Sequence, residues 1–179
     1  LQMKTGMHSW DFVGNNCEEP DIVFAATGDY PTKEVLATLQ ILKEDFPELN
    51  TRFVSVSELT CFGIGDHPVT NRINDEQFSS VFSENVPIIF SYHGYPEDIK
   101  QLIFNHPQAN RFTIHGYIEK GTTTTPFDMM VQNNCSRYQL AIEAITKAMM
   151  DKPELTKKGK EVIKKYEDIL VKHHNYIQL

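Results

Sequence analysis

The residues best suited to chemistry in this 179-residue chain stand where strand-like runs give way to turns. Gly28-Asp29 follows the run from Asp21 to Thr27, and His93-Gly94-Tyr95 follows the run from Pro87 to Tyr92. Ligands of open α/β sheets bind at such C-terminal strand ends. An imidazole there can act as an acid, a base or a phosphate donor, and His115 lies on a neighbouring run, Arg111 to Tyr117. Each residue also has a plainer use. Asp29 can cap the helix that follows, where its charge would repel a phosphate. Both imidazoles can be hydrogen-bonded structural groups. The segment Ala26-Thr27-Gly28-Asp29-Tyr30-Pro31 has one glycine and lacks the GxGxxG dinucleotide fingerprint. No nearby Ser or Cys has a nucleophile-elbow setting, so a hydrolase triad is not supported. The remaining constellation is Gly121, Thr122, Thr123, Thr124, Thr125, Pro126 and Asp128. Its hydroxyls can hold an anion or a partner backbone. Equally, they can bond within a rigid loop that leads into a helix opening at Pro126.

Composition narrows the classes. Apolar residues make up 40% and charged residues 23%, a globular balance. The longest apolar run, Val86 to Phe90, is broken by Pro87 and far shorter than a membrane span. A net charge of -7 argues against a general nucleic-acid surface. The late lysines Lys157, Lys158, Lys160, Lys164 and Lys165 are interspersed with acids. They read as a solvated helix face with pairs such as Glu161–Lys165, a phosphate-binding strip being the alternative. Cys17, Cys61 and Cys135 are odd in number and widely spaced, which speaks against a structural zinc site. With no signal peptide visible, they favour a reducing, cytoplasmic setting. His173-His174 are adjacent and so face different sides of a helix, a poor chelating pair. The chain opens Leu1-Gln2-Met3 without an initiator Met, so a piece of a longer polypeptide is expected.

The elements that must position these residues follow from periodicity. Ser9 to Val13 alternates weakly and suits an edge strand, before a turn at Gly14-Asn15-Asn16. Residues 21–27 form an apolar run without alternation, as in a strand buried on both faces. Pro31 suits the first turn of a helix carrying Val35, Leu39, Leu42 and Phe46, which Pro47 stops. With the strand at 52–57 this makes a βαβ unit. Residues 60–75 read as loop, and Asn74 or Asp75 caps a helix with Phe78, Val81 and Phe82. A strand at 87–92, a helix opened by Pro96, and an edge-like strand at 111–117 follow. Of two last helices, one starts near Ser136 and the other carries Val162, Ile163, Tyr166, Ile169 and Leu170. The pattern gives a three-layer α/β/α sandwich around a mostly parallel sheet. Residues 1–19 are a lead-in and residues 20–179 one domain.

Three segments carry a resemblance to a known family: Pro20 to Glu34, Phe90 to Pro96 and, most specifically, His115 to Met129. Over roughly residues 9–150 the chain resembles the C-terminal domain of phosphoketolases, itself similar to the transketolase C-terminal domain. The resemblance implies a sheet of about five strands, one antiparallel, with the strand near Trp10 able to supply it. It also implies a thiamine-diphosphate enzyme of the transketolase kind, a homodimer that cleaves xylulose 5-phosphate, and often fructose 6-phosphate, with inorganic phosphate. Cofactor and Mg²⁺ would lie between the other two domains of opposite subunits. In this chain Gly28-Asp29 is followed by Tyr30, not the family's second glycine, and no Asn stands 25–30 residues on. The fragment is therefore expected to have no cofactor site of its own, no nucleic-acid or membrane partner, and a structural, dimer-supporting role. Its partners would be the other domains of the polypeptide and the second subunit. His93, Gly94, Tyr95, His115, Thr122 to Thr125 and Asp128 are the candidates for facing the interface or substrate channel. A regulatory small-molecule module at Gly28, Asp29, His93 and Gly94 is the alternative. A stand-alone Rossmann enzyme is disfavoured by the missing fingerprint.

Overall fold

A computed structural model of the chain describes residues 5–15, 18–63, 72–119, 121 and 123–177. Strands β1 (Met7–Ser9), β2 (Ile22–Thr27), β3 (Thr51–Val56), β4 (Ile88–Tyr92) and β5 (Phe112–Gly116) form one sheet in the order β1-β3-β2-β4-β5. The pairs β2–β3, β2–β4 and β4–β5 are parallel, and β1 runs antiparallel to β3. The helices are α1 (Asp29–Asp45), α2 (Asp75–Phe82), α3 (Pro96–Ile103), α4 (Pro126–Gln132), α5 (Arg137–Asp151) and α6 (Thr156–Ile177). This is the expected three-layer arrangement around a mostly parallel five-stranded sheet.

Alternate residues of the central strands explain the layers, because a pleated strand sends successive side chains to opposite faces. Ile22, Phe24 and Ala26 of β2, with Phe53 and Ile89, pack against α1, α5 and α6. Val23, Ala25, Val54, Val56, Ile88 and Phe90 pack against α2 and α3. Ile22 to Ala26 are all buried, as their apolar run requires. On β5, Ile114 and Phe112 are half-buried, which fits its position at the sheet edge.

Two local expectations are corrected. The antiparallel edge strand ends at Ser9, earlier than the alternation at 9–13 indicates. Trp10 still donates its amide to Phe53 O (3.0 Å), but its ring packs edge-on against Phe53 (5.3 Å) and Val13 N bonds back to Trp10 O. The aromatic spacing there serves a turn, with Phe12 stacked outside Trp10. The α6 lysines also pair differently. Lys165 meets Asp45 and Lys158 meets Glu48, each at 2.6 Å, so these charges tie α6 to the end of α1, not to neighbours on α6 such as Glu161. Tyr166 is buried beside them and its hydroxyl donates to Asp45 (2.8 Å). Burial and that carboxylate both push its pKa upward.

Phe53, on β3, lies fully buried against the layer of α1, α5 and α6. Phe53→Ala is expected to lower the unfolding free energy by about 3–5 kcal/mol, the usual cost of deleting a buried ring. Urea titration should show a lower midpoint at an unchanged slope.

Candidate functional site

The strand order sets where a site can form. The chain leaves β2 for β3 on one side, then crosses back to β4 on the other. The crevice between the C-terminal ends of β2 and β4 is therefore the topological switch point, where open α/β sheets bind ligands. Gly28-Asp29 follows β2 there and His93-Gly94 follows β4.

In this chain His93 stands in the crevice against Gly28, with its ring partly exposed. Its amide donates to Thr27 O (3.1 Å), and a Cβ placed on Gly28 would stand 2.5 Å from His93 Cβ. Gly28 also has φ +98°, a conformation that side-chain-bearing residues avoid. The His93 ring is edge-on to Tyr117 (4.7 Å) and Tyr30 (6.0 Å), while Tyr30 and Tyr117 lie nearly parallel at 6.1 Å. Burial pushes the Tyr117 hydroxyl pKa up, with Tyr30 and Glu119 adding to it.

Asp29 occupies the first turn of α1. It accepts from Tyr30 N (2.9 Å) and stands 3.3 Å from His93 Nδ1. The Tyr30 amide is the main reason its carboxyl titrates below the ordinary range, and His93 contributes. These residues do not fit thiamine diphosphate or its Mg²⁺. A diphosphate approaching the α1 N-terminus would meet the Asp29 carboxylate, and the space beside Gly28 is taken by His93. Among the described residues no group of three or more His, Cys, Asp and Glu could hold a metal ion.

The other candidates divide among three places. Gly94 lies beneath the Tyr92 ring, and Tyr95 is exposed at the start of α3. His115 is not brought to His93. It belongs to the α5 layer, where its Nε2 meets Glu143 at 2.6 Å and Lys147 approaches the same carboxylate (3.4 Å). Burial works to raise the Glu143 pKa, but the His115 bond and Lys147 leave it lowered.

Asp128 gathers the threonine loop. Its Oδ2 accepts from Thr124 Oγ1 (2.8 Å) and Gln132 Nε2 (2.5 Å), and its Oδ1 lies 3.0 Å from His173 Nε2. Thr125 caps α4 by accepting from Asp128 N (3.2 Å). The hydroxyls of Thr124 and Thr125 are thus committed to the loop's own structure. Thr122 lies outside the described residues. Asn133 closes the preceding segment, accepting from Ile118 N and donating to Ile118 O.

Sequence reasoning did not find three contacts that shape this end of the sheet. Glu34, buried on α1, accepts from Arg137 N, Nε and Nη2 at 2.6–3.0 Å. His173, on α6, reaches Asp128. Tyr30 meets Tyr117. All three join residues at least 45 apart, and no local spacing signals them.

The sequence profile of the XFP C-terminal domain matches residues 1–179. The chain belongs to this phosphoketolase C-terminal domain family. It is 39% identical over 174 residues to a probable phosphoketolase 2 of Nostoc sp., covering 96% of this chain and 21% of that protein. It is 39% identical to a probable phosphoketolase of Bradyrhizobium diazoefficiens, covering 97% and 21%. For a probable phosphoketolase of Clostridium acetobutylicum the identity is 36%, covering 98% and 22%. This chain therefore spans about a fifth of the length of the curated relatives it matches. Among solved structures, transketolase from Leishmania mexicana superposes with a TM-score of 0.55 at 16% identity, covering 83% of this chain and 19% of that one. That likeness concerns the fold, a transketolase C-terminal-like α/β domain.

Two outcomes are expected at this site. Gly28→Ala combines a strained φ with a collision against His93, so its thermal midpoint should fall by several degrees, whereas Lys43→Ala on the exposed end of α1 should leave it unchanged. For Asp128, burial works to raise the pKa, but the bonds from Thr124, His173 and Gln132 hold it below the usual 3.8. A depressed carboxylate pKa contributes stability above the unfolded value and loses it as pH falls through the folded one. Stability should thus drop on acidification below about pH 4, and Asp128→Asn should be less stable at pH 7 with a shallower acid limb. Unfolding curves taken between pH 2 and 7 would read both.

Proposed function

We propose that this chain is the C-terminal domain of a thiamine-diphosphate-dependent phosphoketolase, acting with a ketose phosphate such as xylulose 5-phosphate or fructose 6-phosphate. In the complete polypeptide, ketose phosphate and inorganic phosphate would become acetyl phosphate, an aldose phosphate and water. The observation that carries this reading is the family match along the whole chain, together with relatives named as phosphoketolases. The domain's part is structural: it packs on the other domains of the polypeptide, supports a homodimer, and borders the route to an active site built elsewhere. Cytoplasmic location belongs to the same proposal.

The chain's own chemistry supports the division of labour. The switch-point crevice, the natural ligand site of this fold, has His93 packed against Gly28 and bears a carboxylate where a diphosphate would need amides. The buried thiols offer no nucleophile, since burial pushes Cys61 and Cys135 each up to about 12. A regulatory small molecule at Gly28, Asp29, His93 and Gly94 is the competing reading, favoured only by the position of these residues at the switch point.

The complete polypeptide should form acetyl phosphate, detectable as its hydroxamate, from xylulose 5-phosphate and phosphate. The isolated chain should give no heat with thiamine diphosphate and Mg²⁺ in a calorimeter, and tight binding there would overturn the structural role. A ligand present at 100 times its dissociation constant adds about 2.7 kcal/mol of stability. Thermal shifts of the chain with phosphate-bearing metabolites therefore separate the regulatory reading from the structural one.

A further inference from the structure

The two ends of the sheet differ in chemistry. At the strand N-termini, charges are paired: Lys152 with Asp21, Lys158 with Glu48, and Lys165 with Asp45. The opposite end is aromatic. Of the seven tyrosines, Tyr30, Tyr92, Tyr95, Tyr117, Tyr138 and Tyr176 stand at the strand C-termini or in the helix turns beside them. Tyrosine, phenylalanine and arginine are enriched at protein interfaces, where Lys and Glu are depleted.

Within that end, two adjoining hollows of about 380 and 530 Å³ share Phe127 and Arg137 as their common wall. Tyr30 and Lys33 of α1 line the first, Lys172 and Tyr176 of α6 the second. Together they make one groove running from α1 across α4 to the end of α6. Phe127 is its floor, held edge-on by Tyr138 (6.5 Å) and His173 (5.0 Å), with the Arg137 guanidinium 5.5 Å from its ring centre. The charge of Arg137 is met by buried Glu34. Lys33 and Lys172 are exposed and form no ion pair among the described residues; Lys33 lies over the Tyr30 ring. A chain of net charge -7 thus carries, along this aromatic groove, an exposed lysine outside any ion pair of the described residues at each end.

We propose that this groove receives an acidic segment from the remainder of the polypeptide, with apolar or aromatic side chains on Phe127 and Tyr176 and carboxylates on Lys33 and Lys172. The inference rests on the reading above, that the chain is one domain of a larger phosphoketolase, and names the surface by which it docks. Desolvated aromatic anchors supply binding energy, and the lysines select the sign of the partner and its register.

The test uses the complete polypeptide with a photoreactive benzoylphenylalanine at Tyr176, and separately at Met150, which is exposed at the far end of α5. Irradiation of the Tyr176 variant should link it to a carboxylate-rich peptide outside this domain, in the same or the paired subunit, and the Met150 variant should give no such link. Adding Lys33→Glu and Lys172→Glu should cut the Tyr176 yield at least several-fold. The proposal is overturned by a Tyr176 link only to a second copy of this domain, by a link from Met150 alone, by no link, or by a yield that charge reversal leaves unchanged. Acetyl phosphate formation by the same preparations tests the parent reading separately. Normal turnover without the link overturns the docking surface, and a link without turnover overturns the phosphoketolase reading.

Discussion

Glu34 faces inward on α1, and a carboxylate removed from water must find charge and donors close by. Arg137 supplies both, through its backbone amide and two guanidinium nitrogens, and the pair holds the Arg137 charge on. Thr38, one turn along α1, donates to the carbonyls of Glu34 and Arg137. Such a pair adds little net stability over an apolar substitute, yet removing Arg137 would leave the buried Glu34 carboxylate uncompensated. Its larger effect is geometric. It pins the start of α5 to the first turns of α1, and Ser136, just before it, bonds to Gln139 while Cys135 N closes onto Met130 O. The end of α4, the Asp128 cluster and the floor of the aromatic groove take their positions from that anchor.

The other face of the sheet is fastened by different means. Two arginines from separate strand regions converge on the last turn of α2. Arg52 donates to Ser80 O, Val81 O and Ser83 Oγ, and Arg111 to Phe82 O, Ser83 O and Val86 O. Helix C-termini carry unsatisfied carbonyls and a partial negative charge, so cations suit them. One layer is thus fixed through a helix–helix ion pair at the strand C-terminal end, the other through helix capping from beneath. The Phe62, Phe78, Phe82 and Phe112 rings fill the space between, with His106 stacked on Phe78 at 4.4 Å.

What was legible beforehand depended on whether the signal was local. The buried run of β2, Pro31 and Pro96 in first helical turns, Asn74 as the cap of α2, and Ser136 before α5 all obey short-range rules, and each sits where those rules direct. The three-residue β1 was displaced because Trp10 and Phe12 mimic strand alternation while serving a turn. Asp29 reads as the cap of its helix, but Gly28 is the N-cap and Asp29 lies in the first turn, accepting from Tyr30 N; its contact with His93 depends on the β2–β4 adjacency. The α6 lysines misled because side chains at i and i+4 are only one choice of partner, and Asp45 and Glu48 became available through tertiary packing. Of the candidate site, the threonine loop and its Pro126 helix were readable, whereas Asp128 as the meeting point of Thr124, Gln132 and His173 was not.

The contacts of α6 also bear on the order in which the molecule can be completed. Tyr166, Lys158 and Lys165 bind residues of α1 and its following turn more than a hundred positions earlier. Val162 and Tyr166 cover the same apolar cluster as Phe24, Leu42 and Phe46. During synthesis, α1 is made more than a hundred residues before α6, and the face of α1 that α6 covers stays open until α6 leaves the ribosome. Uncovered apolar surface of this kind is what chaperones bind and what seeds aggregation. The interval between the two helices is therefore a window of vulnerability for the nascent chain, and it closes only when α6 has been made.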